Sequence, residues 1–138
     1  MDKMTARVAA VVLAGGLSGM VAGGALAQSV DCNDPQTQMA FNLCAQQDWQ
    51  VEDARLNAEY KRAMTRAKAY DAEAYEGLAG AAAALKTAQR AWIAFRDGNC
   101  AAEAFTMKGG TAESQVYYGC MAAMTATRSE ELALWLSY

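Results

Sequence analysis

"AQRAWIAFRDGNC", residues 88–100, decides how this chain is read. A tryptophan, a phenylalanine, two arginines, an aspartate and a cysteine share about three helical turns. Such a stretch is an active site, a binding surface or a piece of core. At helical spacing Ala81, Leu85, Ala88, Trp92 and Phe95 fall on one face, and Gln89, Ile93, Arg96 and Cys100 on the adjoining one. The first set reads as a buried stripe, with Trp92 its largest member and Phe95 packed beside it. Arg90 points to solvent. Arg96 lies beside the core face and is expected to pair with a carboxylate of the preceding helix, Asp48 or Glu52. That structural role is preferred over a binding one, because arginine serves both.

Outward from this stretch the signals stay helical. Proline occurs once, at Pro35, after Asn33-Asp34, which reads as an N-cap and a first helical residue. A first helix is expected over about 35–69, with Met39, Leu43, Leu56, Tyr60, Met64 and Ala67 apolar and Glu52, Arg55, Glu59, Arg62 and Arg66 opposite. Asp71 reads as the next N-cap, opening a second helix over about 71–97. Gly77 and Gly80 weaken its start by about 1 kcal/mol each, so the turn slides toward them. Gly98-Asn99 reads as its stop. After a loop at Lys108-Gly109-Gly110-Thr111, a third helix is expected over about 113–136, with Tyr117, Met121, Met124, Leu132 and Trp135 inward. No strand alternation or repeat is present. The expected fold is all-α: a small three-helix bundle, a helical hairpin plus a third helix.

The first residues read differently. Lys3 and Arg7 precede an apolar run from Val8 to Val21, and Ala25-Leu26-Ala27 follows. This pattern predicts a secretory signal peptide, residues 1–27, cut after Ala27, and a mature domain of residues 28–138. The run is too short and too rich in glycine for a retained anchor. Cys32 follows Val30-Asp31, which is no lipobox, so lipid anchoring is not expected. The expected location is the periplasm or the medium, with no membrane span after residue 27.

Four cysteines, Cys32, Cys44, Cys100 and Cys120, all lie beyond that cut. An even number in an oxidising compartment predicts two disulfides. A hairpin of the first two helices gathers all four at one pole. Cys32–Cys44 with Cys100–Cys120 is the preferred pairing, and Cys44–Cys100 stays open. A four-thiolate metal site is disfavoured, because there is no C-x-x-C pair and no histidine. No cofactor is expected.

Loss of Lys3, Arg7 and Asp2 takes the net charge from −3 to −4. An acidic chain argues against nucleic acid and anionic membranes and favours encounter with a basic protein. Enzyme classes fare poorly. No histidine base exists, the thiols are expected to be oxidised, and no P-loop, dinucleotide fingerprint or G-x-S-x-G occurs. Asp48 and Glu52 read as solvating charges on a helix.

The segments "MAFNLCAQQDW", "LNAEYKRAM", "LKTAQRAWIAFRDGNC", "KGGT" and "YYGCMAAMTATRSEEL" together resemble the LprI-type lysozyme-inhibitor family across essentially all of residues 28–138. The resemblance implies a small, exported, helical, disulfide-bonded domain and, for the family's namesake, inhibition of lysozyme. The missing lipobox departs from surface anchoring. A lysozyme groove holds two carboxyl groups, one protonated and one ionised. Lys108, Gly109, Gly110 and Thr111 are the candidate residues to meet them, since glycines permit close approach and lysine supplies a cation. Tyr117 and Tyr118 are expected to add aromatic contact. The alternative reading is a non-catalytic envelope interaction module with another protein partner.

Overall fold

The computed structural model describes residues 30–135. The expected signal peptide and its cut after Ala27 lie outside the described residues. Three helices follow in order: α1 (Gln38–Glu73), α2 (Ala81–Ala104) and α3 (Glu113–Leu134), with a 3₁₀ turn at Phe105–Met107 between the last two. The all-α bundle matches the expectation from sequence. α1 spans about 54 Å at 1.5 Å per residue and forms the spine.

Contacts along the helices fix the topology. At one pole Gln38 donates to Gln115 (2.9 Å) and Asn42 donates to the Thr111 carbonyl (2.9 Å). At the other, Arg66 donates to the carbonyls of Trp135 (2.8 Å) and Leu132 (2.5 Å). α1 and α3 therefore run parallel, and this pair packs most extensively. α2 returns antiparallel to both. Ala63 and Ala67 on α1 and Thr125 and Ser129 on α3 are fully buried, and such small side chains let helix backbones approach closely.

The helix ends differ from the sequence expectation at three places, each for a physical reason. α1 starts at Gln38, not Pro35, because the hydroxyl of Thr37 accepts from the Ala40 amide (3.1 Å) and makes the cap. Asp34 instead accepts from the Gln36 side chain (2.5 Å). α1 also runs through Asp71 to Glu73. Asp71 still caps a helix, but from a distance. Its carboxylate crosses the turn and accepts from the amides of Gly80 (2.8 Å), Ala81 (2.7 Å) and Ala82 (3.0 Å) at the start of α2. The turn slides to the glycines as expected: Gly77 and Gly80 both take positive φ, 82° and 149°. Finally, α2 does not stop at Gly98-Asn99 but continues to Ala104. A glycine inside a helix costs about 1 kcal/mol, less than is gained by burying Cys100 and Ala104 beyond it.

Two apolar clusters fill the interior. One contains Leu56, Ala63, Ala67, Leu85 and Leu132, flanked by Tyr60, Met64, Trp92 and Trp135. The other contains Cys100, Cys120 and Met121, flanked by Trp49, Tyr117 and Met124. The expected inward face of α2 needs correction. Leu85 is buried, but Ala88 is exposed and Phe95 is 62 % exposed, so Phe95 is no core residue. The buried row is Leu85, Gln89, Arg96, Cys100 and Ala104, with Trp92 half-buried beside it. This is the adjoining face, and its polar members are satisfied from within.

Arg96 is the clearest case. Its guanidinium donates to the Thr125 hydroxyl of α3 (3.1 Å) and pairs with Asp53 of α1 (3.5 Å) and Asp97 (2.9 Å). The partner on α1 is Asp53, not Asp48 or Glu52; Asp53 lies one turn before the buried Leu56, on the same face. Glu52 lies 3.6 Å from Arg55 instead. Two cations approach the Trp92 ring, Arg96 at 5.1 Å and Arg128 at 5.9 Å from its centre.

Both disulfides adopt the preferred pairing, Cys32–Cys44 and Cys100–Cys120. The first pins the segment before α1; the second ties α2 to α3 inside the second cluster.

Two measurements check these points. Replacing Cys100 and Cys120 by serine lowers the melting temperature more than the same change at Cys32 and Cys44. The former closes 20 residues rather than 12 and is buried; loss of either is expected to cost about 3 kcal/mol in the chain-entropy estimate. Asp71→Ala lowers the melting temperature at neutral pH. The Gly80 amide first, then those of Ala82 and Ala81, hold the Asp71 carboxyl below the usual range. Its contribution is therefore complete above the ordinary carboxylate pKa and is lost as pH falls through the depressed folded value. Melting curves of wild type and variant converge in that acidic window.

Candidate functional site

The connection from α2 to α3 is built from its own backbone. Lys108 N–H donates to the Phe105 carbonyl (3.1 Å), and Gly110 N–H to the Met107 carbonyl (2.8 Å). Gly109 has φ of 76°, a region that favours glycine. At Gly110 an added Cβ would come within 3.1 Å of the Met107 carbonyl oxygen. The turn thus favours Gly109 by its φ, and a Cβ at Gly110 would need the Met107 carbonyl to give by a few tenths of an ångström.

Glu113, in the first turn of α3, holds this loop. Its carboxylate accepts from the Lys108 ammonium (2.9 Å) and from the Gly109 amide (2.8 Å). The Lys108 hydrogen bond first, and the Gly109 amide second, keep the Glu113 carboxyl below its ordinary range. Lys108 remains 60 % exposed, and its ammonium lies 5.7 Å from the centre of the exposed Phe105 ring. An ammonium has three donors, and one is used here.

Beside the loop is an open concavity of about 480 Å³. Phe105, Lys108, Gly110, Glu113, Tyr117 and Tyr118 line it. Tyr117 and Tyr118 meet edge to face, with ring centres 5.2 Å apart, and Tyr118 stacks on Trp49 of α1 at 5.5 Å. The structure therefore brings together the loop and the tyrosine pair singled out from sequence. Thr111 stands apart: its carbonyl accepts from Asn42, and it fastens the loop to α1. Arg96 is buried and Trp92 half-buried against the first cluster, and the exposed Phe95 does not line this concavity.

Sequence reasoning missed three members of this face. Phe105 was hidden by the expectation that α2 ends before it. Glu113 carried a signal, an acid three residues after a Gly-Gly pair at a helix start. Trp49 carried none, since its role depends on α1 lying beside α3. Its indole N–H is buried without an acceptor.

The arrangement offers binding chemistry. No cysteine is free. Among the described residues, no group of three or more histidine, cysteine, aspartate or glutamate side chains is placed to hold a metal ion. Among the same residues no helix is long and apolar enough to cross a membrane.

Glu113→Gln is expected to loosen the loop. Amide exchange at Gly109 should quicken at neutral pH while the protection of mid-α1 amides stays unchanged. In wild type the protection factor at Gly109, its rate relative to an unprotected amide, should drop only as pH falls through the lowered Glu113 value.

Comparison with known proteins bears on what this face is for. A family model described as "Lysozyme inhibitor LprI" matches residues 31–132. A protein of Rhizobium meliloti (strain 1021), named "Uncharacterized protein R02472", is 42 % identical over 105 residues, which are 74 % of this chain and 76 % of that protein. No solved structure matches. The family is one of inhibitors rather than catalysts, and its kind of partner is a protein such as lysozyme. Together with the two disulfides, it marks an extracytoplasmic protein. With nearly the whole described chain matched, helices and both disulfides included, this protein belongs to the LprI lysozyme inhibitor family.

Proposed function

We propose that this chain, exported and trimmed of residues 1–27, inhibits a lysozyme by occluding the groove that holds its catalytic carboxyl groups. Family membership over residues 31–132 is the observation that carries this reading. The surface we assign to the contact is the loop Lys108, Gly109, Gly110 and Thr111 with Tyr117 and Tyr118, to which Phe105 is added. The exposed ammonium of Lys108 supplies donors toward an ionised carboxylate. The rings of Phe105, Tyr117 and Tyr118 supply flat apolar area beside it at low cost in side-chain entropy. Glu113 and the two glycine turns hold the loop in one shape before contact, and a surface already ordered loses less entropy on binding.

The test is a turbidity assay of lysozyme on cell walls, with the exported protein titrated in. Wild type is expected to slow clearing at a defined stoichiometry. Lys108→Glu is expected to weaken inhibition by about 2 kcal/mol, roughly thirtyfold, by replacing attraction with repulsion. Inhibition that is intact in Lys108→Glu and in Phe105→Ala removes this face from the contact. No inhibition by wild type at large excess removes lysozyme as the partner and leaves the envelope interaction module.

A further inference from the structure

We propose that the groove between α1 and α2 is a binding site for a small amphipathic carboxylate. It shares no residue with the Lys108 face and does not depend on the inhibitor reading. The groove measures about 300 Å³, at the small end of small-molecule sites. Leu56, Ile93 and Tyr60 give it an apolar floor.

Of its polar groups, Arg96 and the Asn57 amide are already engaged, while donors of Lys86, Gln89, Tyr60 and Arg90 have no protein partner among the described residues. Gln89 is only 6 % exposed, and its side-chain oxygen accepts from Arg128 Nε at 3.1 Å. An arginine can only donate, so this bond fixes the amide orientation. Gln89 lines the groove, and its Nε2 has no protein partner among the described residues. The Tyr60 hydroxyl is likewise unengaged there. Lys86 and Arg90 stand four residues apart on α2, exposed and without a carboxylate among the described residues. Like charges at that spacing repel, and an anion between them removes the repulsion.

The one acid in the groove is already engaged. Asp53 Oδ1 pairs with Arg96 at 3.5 Å, and Oδ2 accepts from Asn57 at 3.0 Å. On a chain of net charge −3, this groove is a local cationic, donor-bearing surface. The planar fork of Arg90 matches a carboxylate, while the floor of Leu56 and Ile93 asks for an apolar body behind it. A bare inorganic anion satisfies only the first requirement, and a neutral apolar molecule only the second.

The experiment is an NMR titration of the ¹⁵N-labelled exported protein with 3-phenylpropionate, read at the Gln89 side-chain amide and the Ile93 backbone amide. Saturable shifts at both, in the millimolar range or tighter, are expected. The Lys86→Glu/Arg90→Glu variant changes two exposed side chains and keeps the fold. It should bind about tenfold or more weakly. 3-Phenylpropionamide and inorganic phosphate should each bind more weakly than the carboxylate. Absence of saturable shifts at Gln89 overturns the proposal. Equal binding by the neutral amide, by phosphate, or by the double variant also overturns it.

Discussion

The bundle depends on one buried guanidinium. Arg96 is 5 % exposed and sits where the three helices meet. Moving such a group out of water costs several kcal/mol unless its donors are met. Here they are met from every side: Asp53 from α1, Thr125 from α3, Asp97 from its own helix and the Trp92 ring beneath. Each partner is useful only when its helix is in register. The guanidinium therefore selects one mutual arrangement of three helices whose apolar faces alone would tolerate several. Gln89, bonded to Arg128, extends the same polar layer one turn along α2. The two apolar clusters lie on either side of this layer.

The same logic appears at both turns. In each, an acid near a helix end accepts from backbone N–H of the connection or of the helix that follows. Asp71 holds three amides at the start of α2. Glu113 holds Gly109 and the Lys108 side chain before α3. The helix hairpin and the Lys108 loop are thus fixed by charge-assisted bonds to backbone. At the disulfide pole this rigidity serves the proposed contact surface, since an exposed lysine and its neighbouring rings keep their spacing. The groove where α1 faces α2 carries Lys86 and Arg90 without carboxylate partners among the described residues, on a chain that is acidic as a whole.

Legibility followed the range of the interactions. The helices, the glycine break near Gly77 and Gly80, the inward face of α3 and that of α1 from Leu56 to Ala67 rest on local spacing, and these were readable. Met39 and Leu43, expected on the apolar face of α1, are exposed, and Ala40 and Cys44 are buried there instead. Folding the hairpin back brings the four cysteines to one pole, which left Cys44–Cys100 open beside the preferred pairing; the structure has Cys32–Cys44 and Cys100–Cys120. The face of α2 was misjudged because the stripe was drawn through Trp92 and Phe95, which set Gln89 and Arg96 on the adjoining face. Their burial is permitted only by Asp53, Thr125 and Arg128, none of which is near in sequence. Phe95 was misplaced by the same rotation, and Asp71 was assigned to the helix it neighbours rather than the one it caps.

By itself, the sequence determined an all-helical, doubly cross-linked chain and a glycine loop with a lysine, because helix formation and turn chemistry are decided within a few residues. The tertiary structure alone decided which side of α2 is interior, which carboxylate meets Arg96, and that Phe105, Tyr117 and Tyr118 share one concavity. Those outcomes depend on how three rods rotate about their own axes. That rotation is set by contacts between residues up to 77 positions apart, such as Gln38 with Gln115.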